Sequence, residues 1–221
     1  MAASIEELRQ QLASDVASDR IAAALDLRFV RSAEAAALLR QAAQDAVPLV
    51  RVYAAVGLAR QDLDQAFETL VILLKSDPDG SVRAEAAGSL GLLRDRQAFE
   101  PLVDAYENDG DWIVRYSAIV ALGQLAEPRS FAVFSAALDS PIEMIRDGAI
   151  GALGELGDRR AVERLLPLVG HPEAEVRRRV AVALGKIGDP ASQSALGFLA
   201  KDDDPKVAEA AQSAMQALER P

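Results

Sequence analysis

Residues 176–190 read VRRRVAVALGKIGDP, and variants of this run recur along the whole chain. Aligning the arginine at the second position of each copy gives steps of 31, 32, 32, 31, 31 and 31 residues. The aligned positions, called anchors below, are Arg20, Arg51, Arg83, Arg115, Arg146, Arg177 and Ala208. A fixed period of this size indicates a chain built from stacked copies of one structural repeat.

Apolar residues recur at fixed distances from each anchor. One position before it, and three and seven positions after it, the residue is almost always Val, Ile, Ala or Leu, as in Val176, Val180 and Leu184. This spacing places them on one stripe of an α-helix. Twelve or thirteen positions before each anchor stands a Leu or Phe, such as Leu165, which marks the stripe of a preceding helix. Each repeat is therefore predicted to be a pair of helices.

Turn residues separate these helices. Gly157-Asp158 and Gly188-Asp189 are typical of the end of a second helix, and His171-Pro172 is typical of a turn between repeats. The punctuation predicts one domain, 1–221, with helix pairs at 4–30, 34–60, 65–93, 97–125, 129–156, 160–187 and 191–219. The predicted fold is all-α, a right-handed α-solenoid of seven helix pairs. The last repeat departs from the pattern at Gln216, where central repeats have Gly, as expected of an end that meets water.

Composition excludes several classes of function. The chain has 24 Lys and Arg against 34 Asp and Glu, a net charge of −10 that disfavours nucleic acid as a partner. It has no cysteine, which excludes disulfides and thiolate metal sites, and a single histidine. Apolar runs such as 70–74 are far shorter than the roughly 20 residues that span a bilayer, so no transmembrane segment is expected.

Two runs carry a family resemblance: VRAEAAGSLG at 82–91 and the run at 176–190. They resemble the short HEAT-like repeat of the phycobilisome lyase family, and the resemblance covers all seven repeats. It implies a cytoplasmic protein at the thylakoid-associated phycobilisome of a cyanobacterium, either a phycobilisome-degradation factor or a phycobilin lyase subunit. Lyase subunits of this kind act on bilins and often form a heterodimer with another HEAT-like subunit. The related deoxyhypusine hydroxylases bind iron through repeated His-Glu pairs, so a chain with only His171 is excluded from that branch.

The second helix of each repeat has a face that lies off its apolar stripe. Its positions are −3, −2, +1, +2, +5 and +9 from the anchor, and we call it the second-helix face. In a solenoid it is expected to line the concave side. Midway along the chain it carries large side chains beside small residues: Tyr53, Trp112, Tyr116 and Met144 beside Gly88, Ser89, Gly148 and Gly151. This predicts a groove with aromatic contacts for a protein or flat ligand, the alternative being that Trp112 only covers a turn.

Charged residues allow two interpretations. The anchor arginines could clamp ligand carboxylates, but a regular feature usually maintains the repeat, which favours pairing with aspartates of the turns between repeats: Asp45, Asp77, Asp109 and Asp202. Residues 158–188 contain seven bases against four acids. Arg178 and Arg179 in this stretch are predicted to tune the groove for an acidic partner, the alternative being an ordinary solvated face.

Carboxylates on the second-helix face are the remaining candidates for chemistry. Glu85, Asp147 and Glu155 could serve in general acid–base catalysis, although isolated carboxylates are a weak signal. His171 stands where other repeats carry Asp, and it is predicted to be a turn residue rather than a base or ligand. No metal site and no required cofactor are predicted.

The leading hypothesis is a non-catalytic binding scaffold that holds a protein partner, a phycobiliprotein or another light-harvesting component, in phycobilisome turnover or assembly. One alternative is a phycobilin lyase subunit, or a carrier of a bilin or other tetrapyrrole, that acts on phycobiliprotein cysteines. Another is a generic assembly scaffold. The predicted binding residues are Tyr53, Glu85, Trp112, Tyr116, Met144, Asp147, Arg178 and Arg179.

Overall fold

The computed structural model describes residues 3–61 and 63–218 of the chain. Within this part there are fourteen α-helices. They are α1 (Ile5–Leu12), α2 (Ala17–Leu27), α3 (Ala33–Ala42), α4 (Pro48–Leu58), α5 (Leu63–Ser76), α6 (Gly80–Leu93), α7 (Phe99–Asn108), α8 (Trp112–Leu125), α9 (Ser130–Ala137), α10 (Glu143–Leu156), α11 (Ala161–Leu165), α12 (Ala174–Ile187), α13 (Gln193–Leu199) and α14 (Pro205–Leu218). Consecutive helices are in contact in six pairs: α1–α2, α3–α4, α5–α6, α9–α10, α11–α12 and α13–α14. The predicted end of the last pair, residue 219, lies outside the described residues.

The chain divides into two compact halves, an N-terminal half, Met1–Ala121, and a C-terminal half, Leu122–Pro221. In the N-terminal half, second helices α2, α4 and α6 contact one another in succession, and so do first helices α1, α3, α5 and α7. In the C-terminal half, α10, α12 and α14 do the same, and α9 contacts α11. Each half is therefore a double layer of helices, and the predicted all-α solenoid class is confirmed.

The core lies between the two layers and is filled by the predicted stripes. Seven positions after the anchor, the leucines from Leu27 to Leu184 are all fully buried. Twelve or thirteen positions before it, the Leu and Phe residues from Leu8 to Leu196 are at most 1% exposed. Each helix is too short to be stable alone in water, so burial of these side chains, about 1.5–3 kcal/mol each, holds the repeats together.

Four anchor arginines form a ladder of ion pairs between repeats. The Nε and Nη2 atoms of Arg51 each donate to a carboxylate oxygen of Asp77 at 2.7 Å, and its Nη1 donates to the carbonyl oxygen of Asp45 at 2.7 Å. The same geometry occurs in Arg20–Asp45, Arg83–Asp109 and Arg177–Asp202. Each arginine thus ties its own turn to the aspartate of the next repeat, and the predicted structural role is confirmed.

In two repeats another residue stands in place of the aspartate six positions before the anchor, and the turn there is still formed. The aligned residues are Ser140 and His171. The hydroxyl oxygen of Ser140 accepts a hydrogen bond from the backbone N–H of Ile142, and His171 Nδ1 accepts one from the N–H of Glu173, both at 3.2 Å. The aspartates accept the same bond two residues on, so His171 is a turn residue, as predicted.

The anchors that precede these substitutions have lost the carboxylate. Arg146 Nη1 still donates to the carbonyl oxygen of Ser140 at 2.9 Å, but Arg146 makes no salt bridge within the described residues. Arg115 likewise makes none there; its Nε donates to the carbonyl oxygen of Tyr106 at 3.1 Å. The ladder is therefore incomplete in the middle of the sequence.

Glycines eight positions after the anchor bring second helices together. A Cβ atom on Gly154 would lie 2.8 Å from the Cα of Ala183, and one on Gly185 would lie 2.6 Å from the Cβ of Ala214. The equivalent Gln216 of α14 is exposed, because α14 is the last helix of the described chain. This explains why the pattern changes there.

Candidate functional site

The second-helix face is open to solvent in both halves. All of its positions in the described residues are exposed or half-buried except Ala84. Of the twelve large apolar residues that are exposed in the described chain, nine lie on or beside second helices: Val16, Phe29, Leu49, Leu92, Trp112, Ile113, Val120, Met144 and Val182. Apolar side chains that are left in water in this number are typical of a surface that another molecule covers.

The aromatic part of this face lies in the N-terminal half, on α8. Trp112 is 45% exposed and Tyr116 is half-buried one turn later on the same side of the helix. Ile113 and Val120 of α8 are also exposed, and the sequence analysis did not single them out. Tyr53 is half-buried on α4. Trp112 is therefore not core filler, and α8 exposes two further apolar side chains, Ile113 next to it in sequence and Val120 eight residues later.

The small residues of the predicted groove behave differently from one another. A Cβ atom on Gly88 or Gly151 would meet no atom within 4 Å, so both glycines face open space. Ser89 does not: it is fully buried, and its hydroxyl donates to the carbonyl oxygen of Ala55 at 3.1 Å. Its placement in the groove was wrong, because position +6 turns toward the neighbouring second helix rather than toward solvent.

Glu85 is the predicted carboxylate of the N-terminal half. It is half-buried on α6 and makes no salt bridge within the described residues. Burial raises its pKa above the usual range, because a charged carboxylate loses water there without gaining a partner.

Asp147 is its counterpart on α10 in the C-terminal half. Its Oδ2 lies 3.4 Å from Nε of Arg179, and its Oδ1 is buried without a hydrogen-bond donor. Burial raises the pKa of Asp147, against the opposing effect of Arg179. Glu155, one of the three carboxylates considered for acid–base work, pairs instead with Lys186. Met144, one turn before Asp147 along α10, is 44% exposed.

A cavity of about 710 Å³ lies between α12 and α14. Its floor is apolar, with Val182, Gly185 and Ala214 among the residues that line it. Its rim is charged: Glu175, Arg178, Lys186, Lys206 and Glu209. Arg178 lies on the wall of this cavity, whereas Arg179 points to Asp147 and Glu175. That these two arginines tune a groove for an acidic partner stays a prediction.

The basic stretch at 158–188 is largely neutralised. The six bases other than the anchor Arg177 all lie within salt-bridge distance of an acid: Arg159–Asp189, Arg160–Asp158, Arg164–Asp139, Arg178–Glu175, Arg179–Glu175 and Lys186–Glu155. Arg177 is part of the ladder. These pairs favour the second interpretation of the stretch, an ordinary solvated charged face, because the acids that pair with the bases come partly from outside it, at 139, 155 and 189.

Two kinds of site are absent from the described residues. No group of three or more His, Asp or Glu side chains there is placed to hold a metal ion. None of the helices in that part of the chain is long and apolar enough to cross a membrane.

Comparison with known proteins gives a family and a fold. The sequence profile of the family described as HEAT repeats matches residues 5–87, 67–146 and 132–216. No curated protein matches the sequence.

Two solved structures are similar over nearly the whole chain. One is the complex of CpcE and CpcF of phycocyanin lyase from Nostoc sp. PCC7120, with a TM-score of 0.62 and 23% identity, covering 98% of this chain and 95% of that chain. The other is YibA of Escherichia coli, with a TM-score of 0.62 and 20% identity, covering 99% and 93%. At these identities the likeness shows a shared fold.

Proposed function

The chain belongs to the HEAT-repeat family, and we propose that it is a non-catalytic scaffold whose second-helix face holds a protein partner. The observation that carries this proposal is the concentration of exposed apolar side chains on that face. Trp112 and Tyr116 are the central contacts, because aromatic residues supply much of the binding energy of protein interfaces. Tyr53 and Met144 add apolar contacts, and Arg178 and Arg179 with their acidic neighbours set the charge pattern that a partner must match.

The proposed partner is a phycobiliprotein or another light-harvesting component of the cyanobacterial cytoplasm, met at the thylakoid-associated phycobilisome. The repeat sequence resembles the phycobilisome lyase family, and one structural neighbour is a complex of two phycocyanin lyase subunits. That neighbour also motivates a heterodimer with a second HEAT-like subunit. The scaffold would serve phycobilisome turnover or assembly.

Binding to purified phycobiliprotein tests this function. Titration calorimetry should give a saturable signal that weakens about tenfold or more in Trp112→Ala, because loss of a central aromatic contact costs 2 kcal/mol or more. Phe198→Ala is the matched control: Phe198 is 62% exposed, but it lies on first helix α13. An equal loss in both variants, or no binding to any phycobiliprotein, would leave the generic assembly scaffold as the better description.

A second candidate function is a phycobilin lyase subunit or a bilin carrier. The specific observation in its favour is that Glu85 and Asp147, both on the second-helix face, have pKa values raised by burial, as acid–base groups often do. The acceptor cysteine would belong to the phycobiliprotein, so the lack of cysteine in this chain does not oppose it.

Pigment binding separates the two functions. A linear tetrapyrrole bound by the purified protein should show a shifted absorption band with induced circular dichroism. Transfer to an apo-phycobiliprotein, measured with and without a second HEAT-like subunit, should then slow in Asp147→Asn. Phycobiliprotein binding without any pigment signal would favour the scaffold.

A further inference from the structure

A second cavity lies in the N-terminal half, at the ends of second helices α2, α4 and α6, and has a volume of about 320 Å³. Its polar lining is Arg31, Ser32, Arg60 and Gln61, and Ala59, Leu92 and Leu93 complete it. We call it the arginine pocket. Among the described residues that line it, none is acidic, although acids outnumber bases 34 to 24 in the chain.

The two arginines of the arginine pocket have N–H donors that no carboxylate of the described residues accepts. Arg31 and Arg60 make no salt bridge within the described residues, in contrast to the ladder arginines. Gln61 Nε2 donates to the carbonyl oxygen of Val30 at 2.9 Å, which fixes one wall of the pocket. Guanidinium groups without a carboxylate in a partly enclosed site favour an oxyanion, which can accept two parallel hydrogen bonds from each.

The backbone around the pocket adds to this preference. Ser32 is the N-cap of α3, and its hydroxyl oxygen accepts a hydrogen bond from the N–H of Ala35 at 3.0 Å. The positive end of the α3 dipole therefore lies beside the two arginines, and it favours negative charge in the same place.

An exposed ring holds the cations near one another. The guanidinium of Arg28 lies 4.5 Å from the ring centre of Phe29, and that of Arg60 lies 6.0 Å from it. Arg28 Nε is buried without a hydrogen-bond acceptor. Such stacking restricts the side chains before any ligand arrives, which reduces the entropy that binding would otherwise cost.

We propose that the arginine pocket binds an anion through a carboxylate or phosphate group. This inference does not rest on the proposed function. The sequence signal is visible in retrospect: Arg28, Arg31 and Arg60 follow the second helix in the first two repeats, whereas Gly-Asp follows it in the fifth and sixth repeats.

Inorganic phosphate and acetate are suitable probes in a low-chloride buffer, with chemical shifts of the Ala33 and Glu34 amides and of the arginine Nε–H groups as the readout. We expect saturable shifts with at least one probe, and binding about tenfold weaker or more in Arg31→Gln/Arg60→Gln, because charged hydrogen bonds of about 1.5–3 kcal/mol are lost. Tighter binding of phosphate would identify a phosphoryl ligand, and tighter binding of acetate a carboxylate.

The control variant is Arg159→Gln/Arg164→Gln, which makes the same charge change in the C-terminal half and should bind like the unaltered protein. Arg60→Lys keeps the charge but not the planar donors, so it should weaken binding less than Arg60→Gln does. Circular dichroism checks that each variant is folded. The proposal is overturned if neither probe gives saturable shifts, or if the control variant loses binding as much as Arg31→Gln/Arg60→Gln.

Discussion

Two glycines of α10, three positions apart, have opposite surroundings. Gly154 lies against the backbone of Ala183, whereas Gly151 faces open space. Gly154→Ala should destabilise the protein by about 1–3 kcal/mol, because α10 and α12 would have to move apart. Gly151→Ala should stabilise it by up to about 1 kcal/mol through helix propensity alone. Urea unfolding measures both, and equal effects of the two substitutions would contradict the close helix contact.

Glu85 illustrates a residue whose charge opposes folding. Since burial raises its pKa in the folded state, the folded state binds its proton more tightly than the unfolded state does. Its contribution to stability is therefore full below the usual Glu pKa of about 4.3 and is lost as the pH rises through the folded-state value.

Glu85→Gln should accordingly raise the melting temperature at pH 7, and the gain should vanish below about pH 4, where both side chains are neutral. Glu163→Gln is the control, since Glu163 is exposed on α11 and makes no salt bridge within the described residues. A gain of the same size in the control would mean that only the net charge of the protein matters.

The ladder pairs join consecutive helix pairs, and their energetic weight depends on burial. The side chains of Arg51 and Asp77 are only 10% and 3% exposed. Asp77→Asn should cost about 3–5 kcal/mol, since it leaves the Arg51 charge buried without its counter-charge. Asp139→Asn, which breaks the exposed pair with Arg164, should cost at most about 1 kcal/mol. Chemical denaturation compares the two, and similar costs would show that the ladder is not a buried ion-pair system.

The interruption of the ladder at His171 can be repaired. His171→Asp should give Arg146 the carboxylate that its equivalents have, and the aspartate can still accept the bond from Glu173 N–H. We expect a gain of about 1 kcal/mol in the free energy of unfolding. In a double-mutant cycle, Arg146→Gln should cancel the gain. If the gain persists without Arg146, it does not come from a restored ion pair.

The loss of stability of the whole molecule at acid pH should depend on protonation of the ladder aspartates. Hydrogen bonds from Arg20, Arg83 and Arg177 lower the pKa values of Asp45, Asp109 and Asp202. A carboxyl group with a lower pKa in the folded state stabilises above its unfolded pKa, about 3.9, and that contribution is lost as the pH falls through the folded-state value. Urea titrations between pH 7 and pH 3 should therefore show a loss of stability that becomes steep below about pH 4. Asp109→Asn should make this dependence shallower, and an unchanged slope would argue against the ladder as its source.

The period of the sequence was sufficient to predict the paired helices, the buried stripes and the ladder, because these features recur in most of the repeats. The face that carries Trp112 followed from helical spacing alone. The pairing of individual charges did not follow from spacing alone. Lys186 looks free in the sequence, but its partner Glu155 lies on α10, so this pair depends on how neighbouring helices pack. The arginine pocket was missed for the same reason, since Arg31 and Arg60 are 29 positions apart and meet only after the repeats stack.

The ladder also predicts which deletions of a whole repeat the fold should tolerate. Each ladder arginine pairs with the aspartate of the following repeat, so cutting out one full period between Arg51 and Arg83 leaves the pairing rule intact. Removal of residues 52–83 would join Arg51 to the segment that follows Arg83 and present it with Asp109 in place of Asp77. A shortened protein made in this way should still fold, whereas an excision whose ends are out of phase by a few residues would break the apolar stripe of the helix at the junction.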